Sequence, residues 1–302
     1  MTQESRVKPV LDVHEKPSIG LWITLSLQHL FAMFGATVLV PILTGLPAST
    51  ALTTSGIGTL TYLLITRGKI PAYLGSSFAF INPIIVLSTT HNVETAMLGA
   101  FLASLVYGVV AMFIYKFGVN WLLKLLPPVV VGPIIIVIGL GLAPTAIDMA
   151  MNKTVDGAKV YDLKNFLVAL ITLAATIFCC VALRGFAKQI PVLLGIVFGY
   201  IVAVIVGLVN FQPVIDAPWF SLPKFTVPFV TYTPEWNIAA LAMVPIAIVT
   251  INEHIGHQMV LSEVIGRNVL KDPGLHRSIL ADGTAMMFAS LLGGPPSTTY
   301  GE

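Results

Sequence analysis

Residues 237–262 read NIAALAMVPIAIVTINEHIGHQMVLS, an apolar run of bilayer-crossing length whose only ionisable side chains are Glu253, His254 and His257. Ionisable groups at membrane depth are costly, so they mark a functional site by default. Glu253 and His257 are four residues apart and share one helix face, and Gly256 between them opens that face to a close neighbour. A carboxylate and an imidazole on a dry face point to proton handling. The zinc motif His-Glu-x-x-His needs histidines four apart around the glutamate, whereas His254 and His257 are three apart. No metal is expected here.

The whole chain shares this solvent. Hydrophobic residues make up 56% of the 302, charged residues 10%, and mean hydropathy is +0.89, values that exclude a soluble globular protein. The expected class is an all-α polytopic membrane protein. A net charge of +2 gives no ground for nucleic-acid binding, and the adjacent Cys179 and Cys180 cannot form an ordinary disulfide. Residues 1–18 are polar, carry Arg6, Lys8 and Lys16, and lack a cleavage-like site after the first apolar run; they are expected to form a retained cytoplasmic tail.

Apolar runs fall at about 19–43, 50–66, 71–90, 94–116, 126–150, 165–183, 189–209, 237–262 and 275–292, giving nine expected spans and the start of a tenth. An N-terminus in the cytoplasm puts Arg6, Lys8, Lys16, Arg67, Lys69, Lys116, Lys124, Arg184, Lys188, Arg267, Lys271 and Arg277 inside. Only Lys153, Lys159, Lys164 and Lys224 lie outside, and that asymmetry favours the orientation. The one long loop, 210–235, is rich in proline and aromatics and is expected to pack at the outer surface.

Two segments break the helical pattern. Segment three opens Pro71-Ala72-Tyr73-Leu74-Gly75-Ser76-Ser77-Phe78-Ala79-Phe80, and segment ten opens Gly293-Gly294-Pro295-Pro296-Ser297-Thr298-Thr299-Tyr300-Gly301-Glu302. Non-helical backbone at membrane depth is tolerated only where protein or a water-filled cavity satisfies its amides, which is how transporters build binding sites. If the chain repeats after seven spans, segment three corresponds to segment ten and Gln28-His29 to Glu253-His254. On that reading the chain stops inside its second repeat.

Glu302 follows a run of small residues that exposes backbone N–H groups. Carboxylates accept N–H donors while free amides donate to carbonyls, so Glu253, Glu302 and this backbone complement a small planar ring of alternating N–H and C=O groups. A pyrimidine or purine base fits. Phe78 and Tyr300 are candidates to stack on such a ring, as well as for plain packing. His29 is expected to act behind the ligand, Asp282 to tie helices, Asp148 to be exposed, and Asn82-Pro83 to restart a helix.

The stretches 27–37 (LQHLFAMFGAT), 75–80 (GSSFAF), 253–257 (EHIGH), 272–277 (DPGLHR) and 298–302 (TTYGE) closely resemble the nucleobase/ascorbate transporter family, within it the bacterial uracil branch. The resemblance runs the whole length. It implies an inverted 7+7 repeat of fourteen spans with short β-strands in spans three and ten. It also implies a core domain at 19–116 (spans 1–4) and 236–302 (spans 8–9 and the start of 10), and a gate domain at 117–235 (spans 5–7). Carried over by motif, Glu253 and Glu302 hydrogen-bond uracil, and the backbone N–H groups of Phe78 and Gly301 meet its carbonyls. Ala36, Phe78 and Tyr300 line the pocket, with His257 and His29 behind them.

The expected activity is proton-coupled import of uracil by alternating access, with Glu253, His257 and His29 in proton coupling. No cofactor is expected beyond the co-transported proton. Expected partners are uracil, a proton and membrane lipid, with no nucleic acid and a homodimer left open. The expected location is the bacterial cytoplasmic membrane, crossed many times. A purine or xanthine carrier is the alternative within the family. An intramembrane hydrolase, from another class, is disfavoured because neither a metal motif nor a paired nucleophile and base is present.

Overall fold

A computed structural model describes residues 13, 15–155, 158–184, 187 and 190–300. Gly301 and Glu302 of the expected site lie outside the described residues. Among the described residues the α-helices are α1 (Ile19–Thr44), α2 (Ala48–Ile65), α3 (Ile81–Thr90), α4 (Val93–Phe117), α5 (Asn120–Leu125), α6 (Val131–Gly141), α7 (Ala143–Met151), α8 (Leu163–Ala182), α9 (Pro191–Val206), α10 (Gln212–Ile215), α11 (Val244–Val264) and α12 (Leu275–Leu291). The short strands among the described residues are β1 (Leu74–Ser76), β2 (Asn152–Val155), β3 (Ala158–Tyr161) and β4 (Ser297–Thr299). The chain is a mostly helical, multi-pass membrane protein.

By length and composition, the helical stretches 19–44, 93–117, 131–151, 163–182 and 238–264 suffice to cross a membrane, and 78–90 and 191–206 are shorter apolar helices. α2 and α12 sit where spans were expected but are less apolar, being rich in Thr, Ser, Ala and Gly. Their packing explains this. Both are interior helices whose buried faces meet protein, so small residues replace the large apolar ones that lipid contact favours.

The chain divides into two units, 1–22 with 36–138 and 223–302, and 23–35 with 139–222. In the first, α12 packs on α2 and α4, and α11 packs on α4. The contact positions are small and fully buried: Ala96, Ala100 and Ala103 on α4, and Ala281, Ala285 and Ala289 on α12. Lipid tails are as apolar as leucine, so close backbone approach and dense packing hold such helices together, not hydrophobic transfer. Larger side chains, among them Phe80, Met97, Tyr107, Met243, Ile251 and Ile279, fill the spaces between. α4 starts where the Asn92 side chain accepts from Thr95 N–H at 2.8 Å, with Glu94 in the first turn and Lys116 in the last to match the helix dipole.

β1 and β4 form an antiparallel ribbon inside this unit, in register Leu74↔Thr299, Gly75↔Thr298 and Ser76↔Ser297. Pro71, Pro295 and Pro296 bracket the strands; proline lacks the N–H that a helix would need. Ser77 N–H donates to Pro296 O at 2.9 Å and Tyr300 N–H to Tyr73 O at 3.0 Å, extending the pairing by one bond at each end. The outer edges are satisfied by helices: Leu74 N–H donates to Thr59 Oγ1 of α2 at 3.0 Å, and Thr299 N–H to Asp282 Oδ1 of α12 at 2.9 Å. A two-stranded ribbon at membrane depth survives because its amides find acceptors in protein.

In the second unit α8 packs on α9, where the buried Gly195 and Gly199 face Thr176 and Thr172. β2 and β3 form a hairpin before α8, tied by Lys159–Asp148 at 2.6 Å and Lys153–Asp162 at 2.5 Å, and the Asp162 side chain caps α8. Asp148, expected to be exposed, keeps 36% of its side chain open and takes part in the first of these pairs. The loop at 210–235 packs only in its second part, where Lys224 O accepts from Thr50 Oγ1 and Thr226 N–H donates to Leu292 O. Trp219 and Phe220 stand almost fully exposed, departing from the expected surface packing because 216–222 forms no element that could bury them.

Candidate functional site

The ribbon and α11 enclose a cavity of about 240 Å³ lined by Ala36, Ser76, Ser77, Phe78, Ile135, Glu253, His257, Thr298, Thr299 and Tyr300. Drug-sized ligands take roughly 300–1,000 Å³, so this space suits a smaller one. Hollows of about 320 and 430 Å³ open at 92–98 with 232–237 and around Ile65, Met112, Tyr115 and His276, but among the described residues neither sets a histidine beside a carboxylate.

Each wall follows from local sequence. Glu253 and His257 lie one turn apart on α11, 23% and 17% exposed, with His257 Nε2 4.0 Å from Glu253 Oε1. This is beyond hydrogen-bonding reach, so both are open to a third group. Gly256 keeps α11 close to its neighbour, since a Cβ there would overlap Val131 Cγ1. Opposite, the chain leaves β1 at Ser77 and makes one tight turn, Phe78–Phe80, before α3. Among the described residues no acceptor meets the Phe78 N–H, and Phe78 lines the cavity together with the Glu253 carboxylate and the His257 imidazole.

Tyr300 forms the third wall. Its ring lies over Gly75, where a Cβ would stand 2.5 Å from Tyr300 Oη, so only glycine admits the ring. Tyr300 Oη–H donates to Ser76 O at 3.2 Å, Thr37 Oγ1 is 3.4 Å from Oη, and the Tyr73 ring meets Tyr300 edge-on at 5.5 Å.

Behind the cavity, Thr299 is held at every polar atom. Its N–H donates to Asp282 Oδ1 at 2.9 Å and its carbonyl accepts from His257 Nδ1–H at 2.9 Å. Its hydroxyl lies 2.8 Å from His254 Nδ1. Ser278 Oγ–H donates to Leu275 O at 3.1 Å, so Ser278 Oγ is left to accept from His254 Nε2–H, also at 3.1 Å. A neutral ring with its proton on Nε2 accepts at Nδ1, which makes Thr299 Oγ1–H the donor there. Asp282 Oδ2 lies 3.3 Å from the same Nδ1 and has no hydrogen bond of its own among the described residues.

Of the residues named from sequence, Ala36, Phe78, Glu253, His257 and Tyr300 meet at this cavity. His29 belongs to the second unit. Ser76, Ser77, Thr298 and Thr299 join the lining without having been singled out. Asp282, expected to tie helices, lies 3.3 Å from His254 of α11 and also serves a strand amide, and His254 had been assigned no task. The signal for both was present: ionisable groups in apolar segments need partners, and a strand edge supplies them.

The profile of Xan_ur_permease, a Permease family, matches residues 20–302. The chain belongs to this permease family. That bears out the resemblance carried by the motifs, and it places the chain among transporters and not among enzymes. The chain is 62% identical over 297 residues to a uracil permease of Bacillus caldolyticus, covering 98% of this chain and 68% of the relative. It is 59% identical over 300 residues to a uracil permease of Bacillus subtilis (strain 168), covering 99% and 69%. A uracil permease of Escherichia coli (strain K12) is 44% identical over 294 residues, covering 97% and 66%. The chain thus spans about two thirds of the length of these relatives.

Proposed function

We propose that this chain belongs to a proton-coupled symporter that imports uracil across the bacterial cytoplasmic membrane by alternating access, with its N-terminus in the cytoplasm. The observation that carries the reading is the cavity itself: a carboxylate and an imidazole share with Phe78, whose N–H meets no acceptor among the described residues, a space suited to a small ligand. Uracil offers ring N–H groups to Glu253 and carbonyl oxygens to the Phe78 N–H. Glu302 and the Gly301 N–H add a second acceptor and donor, and Ala36 and Tyr300 shape the remaining walls. The names of the relatives, uracil permeases at up to 62% identity, support the same substrate.

Glu253 carries the proton. Protonated, it is neutral in dry surroundings and donates to the ligand; ionised, it accepts from it. His257 has its Nδ1 proton committed to Thr299 O, so a neutral ring turns the Nε2 lone pair toward Glu253, and a small movement joins the two. His29 assists from the first span. Proton entry is driven by about 2.3 kcal/mol per 100 mV of membrane potential. In the same reading the fold is an inverted 7+7 repeat, in which a core at 19–116 and 236–302 moves against a gate at 117–235.

Uptake of radiolabelled uracil by the full-length protein, with and without a protonophore, tests this. Accumulation that collapses with the proton gradient is the expected result, and accumulation indifferent to the protonophore refutes the coupling. Unlabelled cytosine, thymine and xanthine added as competitors test the ring pattern. Cytosine replaces one acceptor and one donor, and each buried mismatch costs about 1–3 kcal/mol. At least tenfold weaker inhibition by cytosine is expected, and competition equal to that of uracil removes this pocket.

A further inference from the structure

We propose that His254 and Asp282 are positioning residues that hold Thr299 and thereby fix where β4 presents its wall to the cavity. The inference rests on the uracil reading above but concerns residues that line no part of the site. Both side chains are fully buried. They reach Thr299 from two helices, Asp282 on α12 taking the N–H at 2.9 Å and His254 on α11 taking the hydroxyl at 2.8 Å. His257 takes the carbonyl at 2.9 Å from the cavity side. A residue bound at its amide, hydroxyl and carbonyl has no freedom to slide or rotate, and Thr298 and Tyr300 on either side of it are cavity walls.

The arrangement exceeds what folding needs. A strand N–H in this ribbon can be satisfied by one neutral hydroxyl, as Leu74 is by Thr59. On β4 that task falls to a carboxylate whose second oxygen is buried, lies 3.3 Å from His254 Nδ1 and has no hydrogen bond among the described residues. Ser278 fixes the far side of the ring. The carboxylate and the ring thus converge on two polar atoms of one strand residue from two helices, the demand made of groups that set a site to within a fraction of an ångström.

The test uses the purified full-length protein carrying His254→Ala, Asp282→Ala or both. The readout is the ratio of affinities for uracil and thymine, which a loss of folded protein cannot change because unfolded molecules bind neither ligand. Each single variant is expected to shift the ratio at least threefold, and the double variant no further than the larger single, since both act through Thr299. A wild-type ratio in both singles overturns the proposal. Should the alanine variants not fold, His254→Gln and Asp282→Asn are judged by the same threefold line. If the wild-type protein binds neither base, the uracil reading fails, and positioning is then decided by hydrogen–deuterium exchange. Exchange at 297–300 at least tenfold faster in Asp282→Ala, with the rest of α11 and α12 unchanged, supports the clamp; unchanged or uniformly faster exchange refutes it.

Discussion

β1 and β4 are two sides of one ribbon, and each has an outward amide capped by a neighbouring helix, yet the caps differ in kind. Leu74 is capped by the neutral Thr59, while Thr299 is capped by Asp282, which is aimed at His254. The hydrogen-bonding need is the same on both sides. A buried carboxylate is a costly way to meet it, since desolvation opposes the charge unless partners compensate. The difference teaches that the ionisable groups collect on the β4 side, where α11 supplies Glu253 and His257 to the cavity, while β1 contributes backbone and small side chains.

The largest effect that can break this division is on transport. Glu253→Gln is expected to lower concentrative uracil uptake by at least about 100-fold, the lower range of what a positioned proton-transfer group contributes. Binding should fall less, because the amide still offers an acceptor oxygen. Uptake and equilibrium binding measured on the same preparation separate the two, and normal accumulation would remove Glu253 as carrier. Uptake lost equally on Ser76→Ala, across the ribbon on β1, would erase the distinction between the strands.

Stability comes next. Thr59→Ala leaves the Leu74 amide without its acceptor, at a cost of about 1–3 kcal/mol. Asp282→Ala does the same to Thr299 and also leaves a fully buried cavity beside His254, which adds to the loss. Thermal unfolding in detergent should therefore place Asp282→Ala clearly below Thr59→Ala. Equal midpoints would mean that the two caps are interchangeable.

Much of this was legible from residues alone. Apolar length located the helices, because crossing a bilayer leaves little choice of composition, and Pro71 with Pro295-Pro296 located the breaks, because proline removes the amide a helix requires. Glu253 and His257 were legible because α-helical spacing decides which side chains share a face. Thr299 was not, since a threonine in a small-residue run carries no sign of which amide or hydroxyl meets a distant helix. Asp282 was visible as costly but not as a strand cap, because its partner is 17 residues away in sequence and is joined only by the turn after α12. α2 and α12 are weakly apolar for a related reason: their neighbours are protein, and hydropathy registers lipid.

A third prediction sharpens the comparison on the β1 side. Gly75→Ala puts a methyl group against the Tyr300 ring, 2.5 Å from Oη, so the ring must swing while both strands stay paired. Uracil affinity is expected to fall about tenfold, the ~1.4 kcal/mol of a displaced wall, with little change in thermal midpoint. Isothermal titration and thermal unfolding of the same sample check this, and a large loss of stability with intact affinity would make Gly75 a scaffold position only.

The smallest effect separates the Tyr300 ring from its hydroxyl. Tyr300→Phe keeps the ring over Gly75 and against Tyr73 but removes the bond donated to Ser76 O at 3.2 Å and the approach to Thr37 Oγ1. The net value of one such bond is about 0.5–1.5 kcal/mol, so uracil affinity should drop about two- to tenfold. Tyr300→Ala, which removes the wall, should cost considerably more. Binding measured for the pair tells which part of the side chain matters: a loss beyond 100-fold in Tyr300→Phe would mean that the hydroxyl serves the ligand directly and not Ser76, and the β1 strand would then share in the chemistry assigned here to β4.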